Sequence, residues 1–307
     1  MSDSDTLSEA LQEKARAELG EKVEWRERDI QALRDLVKAD LELYCPHEDD
    51  AFLLMFLRAR KFDYDSAAKL IHRYFEVRVE YEDFYKGFRP SMAKSLYEKG
   101  LYVRLPRIKE TDPQPVLTRV GNWDVETHTM EEVLRGNIIQ IEKLIRIKEN
   151  QVTGVVLLMD LNGITWSHAK QANPFLAKRI MSIIQHAMPC RVKGMHYINV
   201  PHFFDYVFGI AKQFMTEKLR NRIHTHVTPE TLKDHFDLEM LPDFLGGKYD
   251  IEPIAKEWAQ EMLDSEQDFV AREKYGIRKV DAVSSNQGNS ADAAGGITGT
   301  FKKLNVD

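Results

Sequence analysis

The chain has 307 residues, 43% hydrophobic, 30% charged and 10% aromatic, the make-up of a globular protein with one large or two modest domains. Its net charge of −6 argues against general nucleic-acid binding. Two distant cysteines, Cys45 and Cys190, exclude a disulfide framework and a cysteine-based metal site. Its apolar runs, such as residues 155–159, are far below the roughly 20 residues of a membrane span. The acidic start "MSDSDTLSEA" lacks the basic and apolar parts of a secretory signal, so the expected compartment is the cytosol.

The first 90 residues read as helices. "TLSE" at 6–9 has the form of a capping box, and Gly20 suits a helix end. In "EWRERDIQALRDLVKADLE", Trp25, Ile30, Leu33, Val37 and Leu41 recur at helical intervals. Asp49 or Asp50 offers an N-cap before Phe52, Leu53, Phe56 and Leu57. "DYDSAAKLIHRYFEVRVEY" places Leu70, Ile71, Tyr74 and Phe75 on an inner face. Gly87 and Pro90 close this block, which predicts an N-terminal all-helical domain over 1–92.

The pattern then changes. "LYVRLPR" and "PVLTRVG" read as short strands, and "MEEVLRGNIIQIEKLIRIKENQ" as one long helix. "VVLLMDL" has the composition of a central strand buried on both faces. "NPFLAKRIMSIIQHAM" is helical, "GMHYINV" a strand, "HFFDYVFGIAKQFMTEKLRNR" helical and "RIHTHV" a strand. Alternation of this kind predicts an α/β domain with a mostly parallel sheet over 93–275, closed by a helix from "IEPIAKEWAQEMLDSEQDFVAREKYG". The small, polar segment 282–299 predicts a flexible tail within 276–307.

The segment 202–222 is unusual. As one helix it puts Phe203, Phe204, Val207, Phe208, Ile210, Ala211, Phe214 and Met215 on one broad side, which Lys218 and Arg222 then continue. Residues 176–226 carry eight Lys and Arg against two acids, within a chain of net charge −6. No phosphate loop, nucleophile elbow or zinc-protease motif occurs. His224 and His226 point the same way along a strand, but with no third ligand nearby in sequence they read as structural or solvent-facing. His186 and Cys190, four apart, read the same way. The chain therefore reads as a binder with no catalytic role. Three greasy helices around an apolar sheet suit a cavity for a lipid-sized ligand. An amphipathic helix ending in cations suits its gate at an anionic membrane.

The blocks "FLLMFLRARKFDYDSAAKLI", "GVVLLMDLNGITWSHA", "RVKGMHYINVPHFFDYVFGIAKQFMTEKLRNRIHTH" and "LPDFLGGKYD" resemble the CRAL-TRIO lipid-transfer family, within it the branch of tocopherol and retinaldehyde carriers. The resemblance spans about residues 49–269. It implies a helical domain followed by an α/β domain whose sheet floors a gated lipid pocket, and no cofactor beyond a bound lipid. By position it puts Leu134, Asn137, Ile138, Ile141, Val155, Met159, Ile180, Ile183, Ile184 and Met195 on the pocket wall. Phe204, Val207, Phe208, Ile210 and Phe214 would line the gate.

The resemblance also assigns a phosphoinositide-headgroup site to Arg191 and Lys193, Lys218 and Arg222, and Arg58 or Arg60; converging cations suit a multiply charged phosphate. Asn137 and Ile141 stand where tocopherol carriers have serines, and Arg and Lys are exchanged at 191 and 193. The implied function is binding and transfer of a tocopherol, retinoid or carotenoid-like lipid by a monomer peripheral to endosomal or other internal membranes. A phospholipid exchanger and a lipid-regulated trafficking adaptor are the alternatives.

Overall fold

The computed structural model describes residues 7–44 and 49–277. Helix α1 (Glu9–Leu19) is capped by Ser8, whose hydroxyl accepts from the Leu11 amide at 3.3 Å; Thr6, the expected cap, lies outside the described residues. Gly20 ends the helix in the left-handed region, φ 75°, where a side chain would be strained. Helices α2 (Arg26–Ala39), α3 (Asp50–Ala59) and α4 (Tyr64–Glu80) follow. Asp49 caps α3 and Asp63 caps α4, each accepting the amide three residues on. Leu33, Leu53, Phe56, Leu57 and Ile71 are fully buried between them. Trp25 departs from the expected stripe. It ends a 3-10 turn (Val23–Trp25) and stays 41% exposed beneath the Lys22 and Arg28 cations. Short helices α5 (Glu82–Tyr85) and α6 (Lys94–Glu98) lead to the sheet.

That sheet has five strands: β2 (Tyr102–Arg104), β3 (Gln114–Arg119), β4 (Val155–Asp160), β5 (Val192–Ile198) and β6 (Ile223–His226), side by side in that order. Only β2 is antiparallel. Each parallel pair needs a crossover, supplied by α7 (Met130–Leu144) with α8 (Lys148–Thr153), α9 (Trp166–Ala169) with α10 (Pro174–Ser182), and α11 (Phe204–Lys212) with α12 (Glu217–Arg220). Right-handed crossovers along a sheet built in one direction put all these helices on one face. Ile138, Ile180 and Ile183 accordingly share a core with Val116, Leu157 and Met195, continuous with that of the first helices. On the other face Leu117, Val156, Leu158 and Ile198 pack under Leu232, Leu241, Leu245 and α13 (Ile251–Asp264). A final helix, α14 (Glu266–Val270), precedes β7 (Gly276–Ile277), which pairs antiparallel with β1 (Leu43–Tyr44). Gly276 and Ile277 are thus paired strand residues, where composition assigns them to a tail; 282–299 lies outside the described residues.

Three segments expected as continuous helices are broken. The stretch 130–151 divides because the Asn150 and Gln151 amides bond the Leu144 and Ile145 carbonyls, ending α7. The last helix pauses at Ser265, whose hydroxyl bonds the Met262 carbonyl at 2.6 Å. The segment 202–222 breaks after Lys212. Gln185 holds both sides of the break, donating to the Phe214 carbonyl at 2.9 Å and accepting from the Thr216 amide at 2.6 Å. Thr216 then caps α12. Lys218 and Arg222 therefore do not extend the apolar stripe of α11, because they belong to a separate helix and the turn after it.

Candidate functional site

A cavity of about 240 Å³ lies between the sheet and helices α7, α10 and α11. Its floor is one cross-strand row: Thr118 pairs with Met159, and Met159 with Tyr197. Residues two apart share a face, so this row follows from parallel register. Leu134 and Asn137 of α7 and Ile180 of α10 form the sides; Phe204, Val207 and Ile210 of α11 form the lid. Among the resemblance-derived positions, these six and Met159 reach the cavity. Ile138, Ile141, Val155, Ile183 and Met195 lie in the packed core behind it, with Ile184, Phe208 and Phe214 half-buried against that core. Phe208 stacks on Phe204 at 5.2 Å and leaves the wall to its neighbour.

The lining is apolar apart from a few groups. The Asn137 amide donates weakly to Thr118 at 3.4 Å, and His168 is held by Trp123 and Thr165. Burial pushes the Tyr197 phenol up to about 12, so its hydroxyl stays protonated, and among the described residues it has no hydrogen-bond partner. Sequence reasoning missed Tyr197; its alternation with His196 along β5 was the available signal.

The lid is thin. Of the α11 residues only Phe204 is buried, and a side chain at Gly209 would meet nothing within 4 Å. Beside the lid stands an aromatic rim. Trp166 lies 4.9 Å from Phe203 and 6.1 Å from Tyr206, with Trp166 54%, Tyr206 59% and Phe175 85% exposed. Large exposed rings at the mouth of an apolar cavity suit a membrane interface.

The basic residues fall into two groups. Arg191 and Lys193, at the start of β5, both reach Glu18 of α1, at 2.8 and 2.9 Å, and Lys14 reaches it at 2.7 Å. Arg191 also donates to the Val152 carbonyl and Arg222 to that of Val192. Arg191, Lys193 and Arg222 therefore gather at one end of the sheet, while Lys218 is exposed on α12. Burial tends to raise the Glu18 carboxyl, but hydrogen bonds from Lys14, Lys193 and Arg191 outweigh it and bring it to about 2. A fixed anion thus occupies the centre of the cation cluster.

Arg58 is different. It is buried, with a two-pronged ion pair to Glu21 at 2.8 and 2.9 Å and a bond to Gln151 at 2.8 Å. Those bonds tie α3 to α8 and engage all three of its guanidinium nitrogens. Arg60, half-buried at the end of α3, is pushed below its ordinary range by burial.

A wider cavity of about 750 Å³ lies between α4, α7 and the C-terminal helices, but its wall carries Arg78, Glu142, Arg146 and Arg272, charges an apolar ligand would desolvate. Cys190 is an inert thiol, pushed up to about 12 by burial, and His186 is exposed. No helix among the described residues is long and apolar enough to cross a membrane.

A helical N-terminal region, a five-stranded mostly parallel sheet and a lidded apolar cavity define a lipid-binding α/β protein, and sequence comparison agrees. Residues 7–73 match the CRAL/TRIO N-terminal domain and residues 109–247 the CRAL/TRIO domain; the chain belongs to the CRAL/TRIO lipid-binding and transfer family. It is 38% identical over 266 residues to a Homo sapiens protein named alpha-tocopherol transfer protein-like, covering 86% of this chain and 78% of that one. It is 32% identical over 269 residues to Clavesin-2 of Rattus norvegicus, covering 85% and 81%. Among solved structures, that of Sfh5 is similar at a TM-score of 0.46 and 12% identity, covering 87% of this chain and 99% of that one.

Proposed function

We propose that this protein is a non-enzymatic carrier that binds one small hydrophobic molecule bearing a polar end and releases it at phosphoinositide-bearing membranes. The observation that carries this reading is the apolar cavity closed by the single thin helix α11. Its volume is just under the roughly 300–1,000 Å³ of pockets for drug-sized ligands. That favours a compact ring-and-chain lipid, of the tocopherol or retinoid kind, over a two-chain phospholipid. The relative named for tocopherol transfer points the same way. Asn137 and Tyr197 offer the polar end its partners, since a buried hydroxyl or carbonyl needs one.

The release half rests on Arg191, Lys193 and Arg222 gathered at the end of β5, with Glu18 holding the place of an anionic phosphate until a membrane supplies one. The aromatic rim would dip into the interface beside the lid. On this reading the protein works in the cytoplasm and visits endosomal or other internal membranes peripherally. Its test is mass spectrometry of an organic extract of protein purified from its native source, with Val207→Asp as the control. A single isoprenoid-type lipid, absent from a folded Val207→Asp protein, is expected. A diacyl phospholipid in that extract, or full loading of the variant, would overturn the assignment.

A further inference from the structure

Four histidines meet on the face of the sheet away from the cavity. His196 of β5 and His224 of β6 are register partners, with rings stacked at 4.7 Å. His226, two residues along β6, faces the same way and lies 5.2 Å from the His196 ring. The chain then turns through a 3-10 segment (Pro229–Asp234) and returns His235 to the group, 4.6 Å from His224 and 4.9 Å from His196 between ring centres. His196 and His226 are buried and His235 is exposed. Asp234, beside His235 in sequence, acts on His226 from a distance.

The hydrogen bonds fix where the lone pairs point. The Thr231 hydroxyl gives its single proton to the Thr228 carbonyl at 3.1 Å. It must therefore accept from His226, whose Nδ1 lies 2.7 Å away. That leaves His226 Nε2 bare, facing His196 Nδ1 at 3.0 Å. One nitrogen each from His196, His226 and His235 lies within 4.8 Å of the others. Tetrahedral ligands about 2.0–2.1 Å from zinc stand roughly 3.3 Å apart, so the inner pair is already close to that spacing. The exposed His235 has freedom to close the third edge. An imidazole whose far nitrogen donates to a fixed oxygen is also the usual outer support of a metal-bound histidine. Thr231 supplies that support here.

We propose that His196, His226 and His235 form a binding site for a transition-metal cation of the zinc class. Three neutral imidazoles suit zinc, cobalt, nickel or copper and not the hard cations calcium and magnesium. On binding, the His196 proton passes from Nδ1 to Nε2 by exchange with water, and the lone pair freed at Nδ1 replaces the hydrogen bond to His226 with a bond to the metal. Water takes the fourth position. The ion clamps the 3-10 segment onto β5 and β6, a job independent of the lipid cavity on the opposite face.

The test uses the full chain, free of any affinity tag and stripped by chelator, titrated with Co²⁺ and with Zn²⁺. Binding of one ion per chain is expected, with the visible absorption of tetrahedral cobalt and a rise in melting temperature, and no response to Ca²⁺ or Mg²⁺. His235→Ala, at an exposed position, should keep its circular dichroism and its lipid loading while weakening Co²⁺ binding at least about tenfold. His235→Gln serves as a second variant with the same readout. Lack of one-to-one binding of either ion, or equal binding by the parent and a His235 variant, would overturn the site.

Discussion

Glu18→Gln tests whether the cation cluster is held in reserve for an anionic headgroup. The substitution keeps the size of the side chain and removes a negative charge that lies within 2.7–2.9 Å of Lys14, Arg191 and Lys193. The carboxyl sits at about 2 against an ordinary 4.5. At 1.36 kcal/mol per pH unit a fully buried group would contribute about 3 kcal/mol. The side chain is 33% exposed, and solvent screening leaves about 1–2 kcal/mol.

The folded value lies below the unfolded one, so this contribution is complete above pH 4.5 and is lost as pH falls toward 2. Glu18→Gln should therefore lower stability by that amount in urea at neutral pH, and the deficit should vanish near pH 2. Freed of their internal partner, the cations should bind vesicles containing a few per cent phosphatidylinositol bisphosphate about fivefold more tightly, since one charge at an anionic membrane is worth about 1 kcal/mol. Co-sedimentation at physiological ionic strength reads this directly. Unchanged or weaker vesicle binding by a folded Glu18→Gln protein would refute the idea that Glu18 stands in for a phosphate.

Lys218→Ala with Arg222→Ala should weaken binding to the same vesicles roughly twenty-five-fold and leave lipid loading intact; an equal loss from Lys212→Glu would reduce the effect to a diffuse basic surface. Arg58→Met should act on stability and not on membranes, costing about 3 kcal/mol by leaving Glu21 buried with only Arg26 as its partner; a urea midpoint equal to the parent's would contradict that. Gly136→Ala, on a helix where alanine normally helps, should cost about 1–3 kcal/mol. Its new methyl would come within 2.9 Å of the Tyr102 hydroxyl and 3.0 Å of Ala93. A rise in melting temperature would show that this contact relaxes freely.

What the sequence revealed was set by local pattern. The strand at 155–160 was legible because a hydrophobic run of that length, preceded by Gly154, has few other uses, and the strand at 192–198 was legible from Gly194 onward. Helix continuity was not legible where a distant amide decides it. Nothing within the segment 202–222 reveals that Gln185 takes hold of Phe214 and Thr216, although Thr216 followed by Glu217 is a cap signal available in hindsight. The basic pair Arg191 and Lys193 was legible; their partner Glu18 was not, because it lies far away in sequence on a helix that only tertiary packing brings to β5. Of the four histidines, the spacing of 224 and 226 was visible. Register brought in His196 and a turn brought in His235, and neither leaves a mark in composition.

The pairing of Leu43–Tyr44 with Gly276–Ile277 has a consequence for synthesis. The first helices emerge from the ribosome long before the strand that completes their neighbouring edge has been translated, so their block cannot reach its final state in the order in which it is made. Closing so large a loop is slow, because its entropy is lost before the contact returns anything. Until then the apolar faces of α2, α3 and α4 wait for the sheet and for Phe269 to cover them. A nascent chain of this kind keeps that apolar surface open to aggregation until residue 277 has been made.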